Sequence, residues 1–515
     1  SVQIDANVFL TITLKAHSST ANKQKQKLIS ITKDQSQSSK FNWAISDESY
    51  FSLIENETVT TSKFPNTSFS LNINKASYSN IRRFLNTKST VPPDAVRIEE
   101  LLNYFNLNYQ EPAKGEVFKI ASAFSDCPWD QQKKLLYLNV NARKLDLNKV
   151  PPSNLVFLID ASGSMDMPNR LPLVKAAFQM LVKNLRPIDT VSIVIYGGTV
   201  AVWLQPTSGA EKQTIIRSIE ELTAQGDTPG ESAIRMAYSV AKSTFIKGGN
   251  NRVILATDGD FNVGETSEKA LEELITRERQ SGVYLTCLGV GMGNFKDSKL
   301  ETLAKRGNGN YAYLDDIREA EKVLVKEVTQ TFFAVADDVY LNVHFNPQLV
   351  KDYRLIGFDN KKDVINTGTG ELEGGEIGSG NSVQAIFEVK TNSIDSATLS
   401  TLNKASIADV QLQYTINGID QKPLNFTCDN AVQPFLTLNN DLRLAASIAM
   451  FGLKLRQSKF ISKEIDWDDI LKIATGAYNP SDYLQKEFVQ LIGTAQKVYG
   501  KNTKKKKKKK NTDEE

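Results

Sequence analysis

Histidine and cysteine are scarce in this sequence, and their scarcity excludes several kinds of site. The chain has two histidines and three cysteines, Cys127, Cys287 and Cys428, and contains no Cys-x-x-Cys pair. A structural zinc site or a disulfide framework needs more of these residues at regular spacing. A Ser-His-Asp hydrolase needs a histidine, and none lies between residues 18 and 343. The middle of the chain therefore lacks the histidine of that triad.

Long apolar runs are also missing from the sequence. No segment approaches the length of about 20 apolar residues that a membrane-spanning helix requires. The chain begins at Ser1 and not at methionine, which is compatible with a missing leader. Membrane association through such a leader is therefore compatible with the sequence.

The charge of the chain is small and unevenly distributed. The formal net charge is +3, but residues 501–515 carry eight lysines and three acids, a local charge of +5 that leaves −2 for the rest. No folded basic face is therefore indicated, and we expect no specific nucleic-acid partner. The lysine run at 504–510 is predicted to be a disordered, solvated tail. Weak binding of this tail to anionic lipid, nucleic acid or an acidic protein is the alternative.

The length of 515 residues exceeds what a single core accommodates and predicts several domains. Shifts in composition and in hydrophobic period divide the chain into six segments. These are a disordered or leader-derived segment at 1–45, an N-terminal α+β flanking region at 46–150, an α/β domain at 153–328, a β-rich domain at 334–435, a helical C-terminal region at 438–499 and the lysine-rich tail at 501–515.

The segment 153–328 has the clearest secondary-structure pattern. Apolar strands alternate with amphipathic helices, and the predicted strands are 154–160, 191–196, 252–257 and 283–290. This alternation predicts a doubly wound, mostly parallel sheet covered by helices on both faces. Gly197-Gly198 indicates a hairpin after the second strand, and Asp297 is predicted to cap a later helix.

Oxygen-bearing side chains follow two of the predicted strands. Asp160 ends the first strand, Ser162 and Ser164 follow in a turn, and Asp258 ends a later strand. In open α/β sheets, ligands bind beyond the carboxyl ends of the strands, where the strand order reverses. Two carboxylates that converge there would repel each other, and a hard divalent cation with about six oxygen ligands removes this repulsion.

Thr228 can supply a further oxygen to the same cluster. It precedes Pro229, which suits the first position of a helix, so a helix N-cap is the alternative role for Thr228. A loop that delivers a hydroxyl to a cation beside the sheet would have the same sequence.

The order Asp160-x-Ser162-x-Ser164, then Thr228, then Asp258 resembles the metal-ion-dependent adhesion site of von Willebrand factor type A domains. The resemblance implies that the two serines and the threonine coordinate the cation and that the aspartates act directly or through water. Segments such as VPPDAVRIEELLNYF and GGNNRVILATDGDFNVG are similar to one bacterial subfamily, whose members have an N-terminal flanking region and a C-terminal domain of unknown function. This resemblance covers roughly residues 68–495.

The resemblance implies a function as well as a fold. Mg²⁺ is the expected cofactor, with Mn²⁺ or Ca²⁺ as alternatives, because the predicted ligands are hard oxygens. Neutral hydroxyl ligands leave much of the cation's charge uncompensated, so a vacant coordination position favours an Asp or Glu of a partner protein. We therefore expect a non-enzymatic, metal-dependent adhesion or scaffold protein. By resemblance it belongs to the cell envelope, as a periplasmic, membrane-anchored or extracellular protein.

Two other hypotheses use the same residues. Asp160 at a strand end suits the nucleophile of a metal-dependent hydrolase. Such chemistry usually places a second carboxylate two residues later, where this chain has Ser162. In the third hypothesis the role of the pocket is purely structural: it stays empty and the flanking domains carry out the function, or a cation only stabilises the fold by binding the native state and not the unfolded chain.

Overall fold

The computed structural model describes residues 48, 50, 52–71, 74–146, 149–226, 230–259, 268–292, 296–358, 374–392, 405–416 and 418–512. The predicted segment 1–45 therefore lies outside the described residues. The chain divides into two compact units. One comprises Ser1–Tyr50 and Asp146–Phe333 and is called the α/β unit. The other comprises Phe51–Leu145 and Ala334–Glu515 and is called the two-sheet unit.

The first elements along the chain belong to the two-sheet unit. They are β1 (Val59–Thr60), β2 (Asn66–Ser70), α1 (Ala76–Asn86), a 3₁₀ turn at Pro93–Ala95, α2 (Ile98–Asn103), β3 (Phe118–Asp126) and β4 (Lys134–Ala142). The backbone N–H of Ser77 donates to Glu100 Oε2 (2.7 Å), which joins the starts of α1 and α2 through a buried carboxylate.

The α/β unit follows, with strands and helices in alternation. Its elements are β5 (Ser153–Asp160), a 3₁₀ turn at Gly163–Met165, α3 (Leu171–Lys183), β6 (Thr190–Gly197), β7 (Thr199–Ser208), α4 (Lys212–Glu220), α5 (Gly230–Ser243), β8 (Asn250–Thr257), α6 (Glu268–Arg279), β9 (Val283–Gly289), α7 (Asp297–Arg306), β10 (Tyr311–Tyr313), α8 (Ile317–Glu321), a π-helical turn at Lys322–Lys326 and α9 (Val328–Phe332).

These strands form one sheet in the order β10-β9-β8-β5-β6-β7. All neighbours are parallel except β6 and β7, which form an antiparallel hairpin. The hairpin predicted at Gly197-Gly198 is confirmed, with Gly198 at a φ of +68°. Strand β5 lies between β6 and β8, so the chain winds first to one side of β5 and later to the other. The predicted doubly wound, mostly parallel fold is confirmed, with its switch point at β5.

Both faces of this sheet are buried. Every residue of β5 is buried, as expected of a strand covered on both sides. On one face Phe157 stacks on Phe178 of α3, with ring centroids 4.2 Å apart, and Ile159 and Ile195 extend the same core. Helix α5 contacts β5, β6 and β8, and α6 and α7 contact β9. Burying each such large apolar side chain contributes about 1.5–3 kcal/mol.

The rest of the chain completes the two-sheet unit. Its elements are β11 (Ala334–Phe345), β12 (Val350–Ile356), β13 (Gly375–Gly378), β14 (Ser382–Thr391), β15 (Ala408–Ile416), β16 (Ile419–Asp420), β17 (Leu424–Cys428), a 3₁₀ turn at Phe435–Thr437, α10 (Asn440–Leu455), α11 (Trp467–Thr475) and α12 (Tyr483–Thr512).

Strands from distant parts of the chain share the sheets of this unit. One sheet has the order β1-β12-β14-β4-β3, and the other has β13-β11-β15-β16 with β17 beside β15 and β2 beside β11. A single apolar cluster draws side chains from both sheets, including Leu138, Phe387, Val343 and Leu412. The segments predicted as an N-terminal flanking region (46–150) and a β-rich domain (334–435) thus pair strand to strand.

Two local predictions were wrong. Asp297 is the first residue of α7 and not its cap; it is buried, and its Oδ1 accepts a hydrogen bond from the Tyr311 hydroxyl (2.8 Å). The lysine run at 504–510 was predicted to be disordered, but α12 continues through it to Thr512. Lysine is a good helix former, and extending an existing helix is easier than starting one.

Candidate metal-binding site

Asp160 is held in one orientation at the carboxyl end of β5. It is fully buried, and both carboxylate oxygens accept hydrogen bonds. The backbone N–H of Ser162 donates to Oδ1 (2.9 Å), and the hydroxyl of Thr257 donates to Oδ2 (2.7 Å). Thr257 is the last residue of β8, so this contact joins the ends of two neighbouring strands. Sequence reasoning missed Thr257, because a threonine in an apolar strand carries no distinctive signal.

The two serine hydroxyls lie side by side in the turn after β5. Ser162 Oγ and Ser164 Oγ are 3.0 Å apart, and Met165, fully buried, anchors the same turn to the core. Two octahedral ligands at right angles, each about 2.1 Å from a Mg²⁺ ion, lie about 3.0 Å apart. The hydroxyl pair therefore has the spacing of two neighbouring ligands of a small hard cation.

Thr228 lies outside the described residues, together with residues 227 and 229. The two residues before this gap are bonded to the serine turn. Gly163 donates its backbone N–H to Gly226 O (3.1 Å), and Gln225 donates its N–H to Ala161 O (2.7 Å). The role predicted for Thr228 stays a prediction.

Glycines allow these loops to approach one another closely. Gly226 has a φ of +78°, and a Cβ atom on it would lie 2.5 Å from the Cα of Gly198. A Cβ atom on Gly197 would lie 2.4 Å from the carbonyl oxygen of Ala161. Real Cβ atoms do not come so near, so a side chain at either position would separate the loops.

Asp258 follows β8 and is paired with an arginine that sequence reasoning missed. Its side chain is 1% exposed, and Oδ2 lies 2.6 Å from Arg170 Nη1. The same Nη1 donates to the carbonyl oxygen of Ser164 (2.7 Å), and Nη2 donates to that of Met292 (3.1 Å). Arg170 thus holds the second carboxylate, the serine turn and the loop after β9 together. Its position directly before α3 offers no sequence signal for this role.

The position of Asp160 disfavours its ionised form. Burial, and then the charge of Asp258, raises the pKa of Asp160 from 3.8 to about 6, although hydrogen bonds from Ser162 and Thr257 lower it. Burial and the charge of Asp160 also raise the pKa of the Tyr196 hydroxyl well above its ordinary value. A bound cation would favour the ionised carboxylate in this buried position.

The residues present fit a hard divalent cation. Within the described residues, no group of three or more His, Cys, Asp and Glu side chains is placed to hold a metal ion. A site here therefore depends on hydroxyl oxygens with few carboxylates, a donor set that suits Mg²⁺ or Mn²⁺. The structure brings Ser162 and Ser164 beside Asp160 and links Asp160 to the end of β8, which Asp258 follows.

None of the helices in the described part of the chain combines the length and the apolar character needed to cross a membrane.

Three segments of the chain match known protein families. Residues 44–137 match the family described as von Willebrand factor. Residues 154–326, which include the serine turn, match the von Willebrand factor type A domain. Residues 330–498 match the family described as Uncharacterized protein YfbK, C-terminal.

The chain is also similar to individual proteins in sequence and in fold. Inter-alpha-trypsin inhibitor heavy chain H4 of Homo sapiens is 33% identical over 168 residues, which cover 31% of this chain and 18% of that protein. A solved structure, von Willebrand factor type A from Catenulispora acidiphila, has a TM-score of 0.41 at 15% identity and covers 62% of this chain and 74% of that one. Uncharacterized protein YfbK of Escherichia coli (strain K12) is 36% identical over 457 residues, which cover 84% of this chain and 78% of that protein. The chain therefore belongs to the YfbK family of proteins with a von Willebrand factor type A domain.

Proposed function

We propose that the α/β unit binds partner proteins through one divalent cation, with Mg²⁺ as the first candidate. Asp160, Ser162, Ser164, Thr228 and Asp258 would hold it. When bound, the cation supplies a positive coordination position that an Asp or Glu of the partner completes. The observation that carries the proposal is the pair of serine hydroxyls, 3.0 Å apart, beside a buried and fully oriented Asp160.

The chain's own residues prepare this position. Thr257 and the Ser162 N–H fix the Asp160 carboxylate, so no side-chain freedom is lost when a ligand arrives. Arg170 compensates the charge of Asp258. With that carboxylate already paired, the neutral hydroxyls become the main direct ligands and the site stays attractive to an incoming acid.

The related proteins support one part of this proposal, namely that the α/β unit has a role in protein interaction. The von Willebrand factor type A domain and the relationship to the inter-alpha-trypsin inhibitor heavy chains support a protein-interaction role. The families matched offer no support for an enzyme. Metal dependence, the acidic residue on the partner and a location in the cell envelope are our proposals.

Cation binding can be tested directly on the full chain. We expect Mn²⁺, followed by electron paramagnetic resonance, to bind one site per chain, and Ser162→Ala/Ser164→Ala to weaken binding by about tenfold or more. Ser208→Ala is the matched control, because its hydroxyl donates to Pro187 O and does not contact the serine turn. Equal Mn²⁺ affinity in all three proteins would reject the proposed ligands.

Partner binding needs a second experiment. Crosslinking and pull-down from the native host, with wild type and Asp160→Ala, should recover the same partner only with wild type and without chelator. Binding that survives excess chelator would reject the cation-dependent mechanism while leaving a protein-interaction role intact. Circular dichroism of Asp160→Ala establishes that the variant is folded.

A further inference from the structure

The two-sheet unit has a second candidate binding surface, which the proposed function does not use. A groove of about 620 Å³ lies on the face of the sheet formed by β2, β11, β15 and β17. We call it the amide groove. Its polar lining residues are Asn66, Tyr340, Asn342, His344, Asp409, Gln411, Gln413, Asn425 and Thr427. Val343 and Val410, both buried, and the partly exposed Phe426 also line it.

The alternation of each strand directs these side chains away from the core. In β11, Leu341 and Val343 enter the apolar cluster between the sheets, while Asn342 between them lines the groove. In β15, Val410 and Leu412 are buried in the same way. The groove is therefore the outer face of a sheet whose inner face carries the core.

The chemistry of this face is unusual for an exposed sheet. Five of its nine polar residues are Asn or Gln, and among the described residues that line it there is no lysine, arginine or glutamate. Asp409 is the one acid in that lining. Exposed strand faces ordinarily carry many charged residues. A neutral, hydrogen-bonding face of this size suits a neutral, hydrogen-bonding partner.

The side chains are already ordered by one another. The Tyr340 hydroxyl donates to Gln413 Oε1, Gln413 Nε2 donates to Gln411 Oε1 (2.7 Å), and Gln411 Nε2 donates to Asn425 Oδ1 (3.2 Å). This chain of hydrogen bonds crosses from β11 through β15 to β17. A ligand that binds here has less side-chain entropy to overcome than on a surface of free side chains.

The amides keep hydrogen-bonding capacity after these contacts. An amide group has two N–H donors and a carbonyl oxygen with two lone pairs. Asn342 Oδ1 accepts from the Ser68 hydroxyl, and Asn66 Oδ1 contacts His344 Nδ1 (2.7 Å). In both asparagines the oxygen is engaged within the sheet, and the NH₂ group is available to a ligand's acceptor oxygen.

We propose that the amide groove binds a neutral oligosaccharide. Sugar hydroxyl and ring oxygens accept from amide N–H groups, and hydroxyls donate to amide oxygens. Adjacent strands lie about 4.8 Å apart, so amides on neighbouring strands can contact successive parts of a sugar chain. A nucleic acid would need lysine or arginine in the groove, and the described lining contains neither.

The test uses the full chain and four neutral probes: maltohexaose, cellohexaose, chitohexaose and mannohexaose. We expect calorimetry or saturation-transfer NMR to show binding of at least one. Asn342→Ala/Gln411→Ala should bind that sugar about tenfold more weakly, since two hydrogen-bonding side chains are removed. Gln205→Ala is the matched control, an exposed glutamine on β7 of the α/β unit. Gln411→Glu keeps the side-chain shape and should also weaken binding.

The outcomes separate this proposal from the cation-dependent one. Sugar binding should be unchanged by excess chelator and by Asp160→Ala. If none of the four sugars binds, or if the groove variants bind as well as Gln205→Ala, the proposal is rejected. Protection of the groove from hydrogen exchange by a peptide, without any sugar binding, would identify it as a protein-binding face and also overturn the proposal.

Discussion

Arg170 Nη1 lies 2.6 Å from Asp258 Oδ2, and the same nitrogen donates to the carbonyl oxygen of Ser164. The two side chains are 8% and 1% exposed, so this is a buried ion pair. One guanidinium thus connects the residue after β8 to the turn after β5. Removing one member of a buried pair leaves the other charge without compensation in a poorly solvated position.

Loss of Arg170 should therefore destabilise the α/β unit strongly. We expect Arg170→Met to lower the free energy of unfolding by about 3 kcal/mol. The control is Arg235→Met, which breaks the exposed pair with Glu231 and should change stability by about 0.5 kcal/mol or less. Urea denaturation measures both values. Adding Asp258→Asn to Arg170→Met should restore part of the loss, and a double variant as unstable as the sum of the two single variants would contradict this interpretation.

The contact between Gly226 and Gly198 predicts a steric effect. Gly226→Ala combines a positive φ with a Cβ atom 2.5 Å from Gly198, so we expect a loss of about 2–4 kcal/mol and weaker Mn²⁺ binding. Gly248→Ala is the matched control, because its φ is +73° and no atom lies within 4 Å of its Cβ position. It should cost about 1 kcal/mol, from the backbone conformation alone. Equal effects in urea denaturation would show that the loop contact is not restrictive.

Asp160→Asn should change stability differently with and without metal. The buried carboxylate is disfavoured by burial and by the charge of Asp258, so the neutral amide should leave the metal-free melting temperature unchanged or raise it. Saturating Mn²⁺, at about 100 times its Kd, should stabilise wild type by about 2.7 kcal/mol and Asp160→Asn much less. Differential scanning calorimetry with and without Mn²⁺ measures the stabilisation of both proteins. Equal stabilisation of both proteins would remove Asp160 from the site.

A buried carboxylate in the two-sheet unit predicts acid sensitivity. Burial raises the pKa of Glu388, but the hydrogen bond and charge of Arg354, the charge of Lys133 and a hydrogen bond from Trp129 outweigh it and hold the pKa below its ordinary value of 4.5. Because the pKa of Glu388 is lower in the folded state, its stabilisation is present above pH 4.5 and is lost as the pH falls through the lowered value.

Comparison with Glu388→Gln isolates this contribution. Hydrogen exchange of the β14 amides reports the stability of this sheet, and wild type should be more stable than the variant at neutral pH. The difference should shrink as the pH falls below 4.5. Asp352→Asn provides the control for general effects of acid, because this half-buried carboxylate of the neighbouring strand β12 accepts a hydrogen bond from the Thr60 hydroxyl and belongs to no buried ion pair with Glu388. A constant difference between wild type and Glu388→Gln at all pH values would contradict the role of the charge.

Some features of the site are local and could be read from the residues. The apolar run that ends at Asp160 predicted a strand buried on both faces, and β5 is such a strand. Gly197-Gly198 predicted a hairpin, because a tight turn requires the φ values that glycine adopts. The spacing of Ser162 and Ser164 after Asp160 places them in one turn.

Other features depend on residues far apart in the chain. Arg170 and Asp258 are separated by 88 positions, and Thr257 lies 97 positions from Asp160. Strand β4 pairs with β14, more than 200 residues later, and both strands are buried along nearly their whole length. A strand that is buried on both faces can be predicted from its apolar residues, but these residues do not specify its partner strand.

The sequence by itself determined the α/β topology, the turn with its two hydroxyls and the family, because each follows from local periodicity or from a contiguous motif. Only the tertiary structure decided that Arg170 neutralises Asp258, that Thr257 orients Asp160 and that two distant segments form one pair of sheets. These contacts arise when packing brings remote residues within hydrogen-bond distance, and no short stretch of sequence encodes that distance.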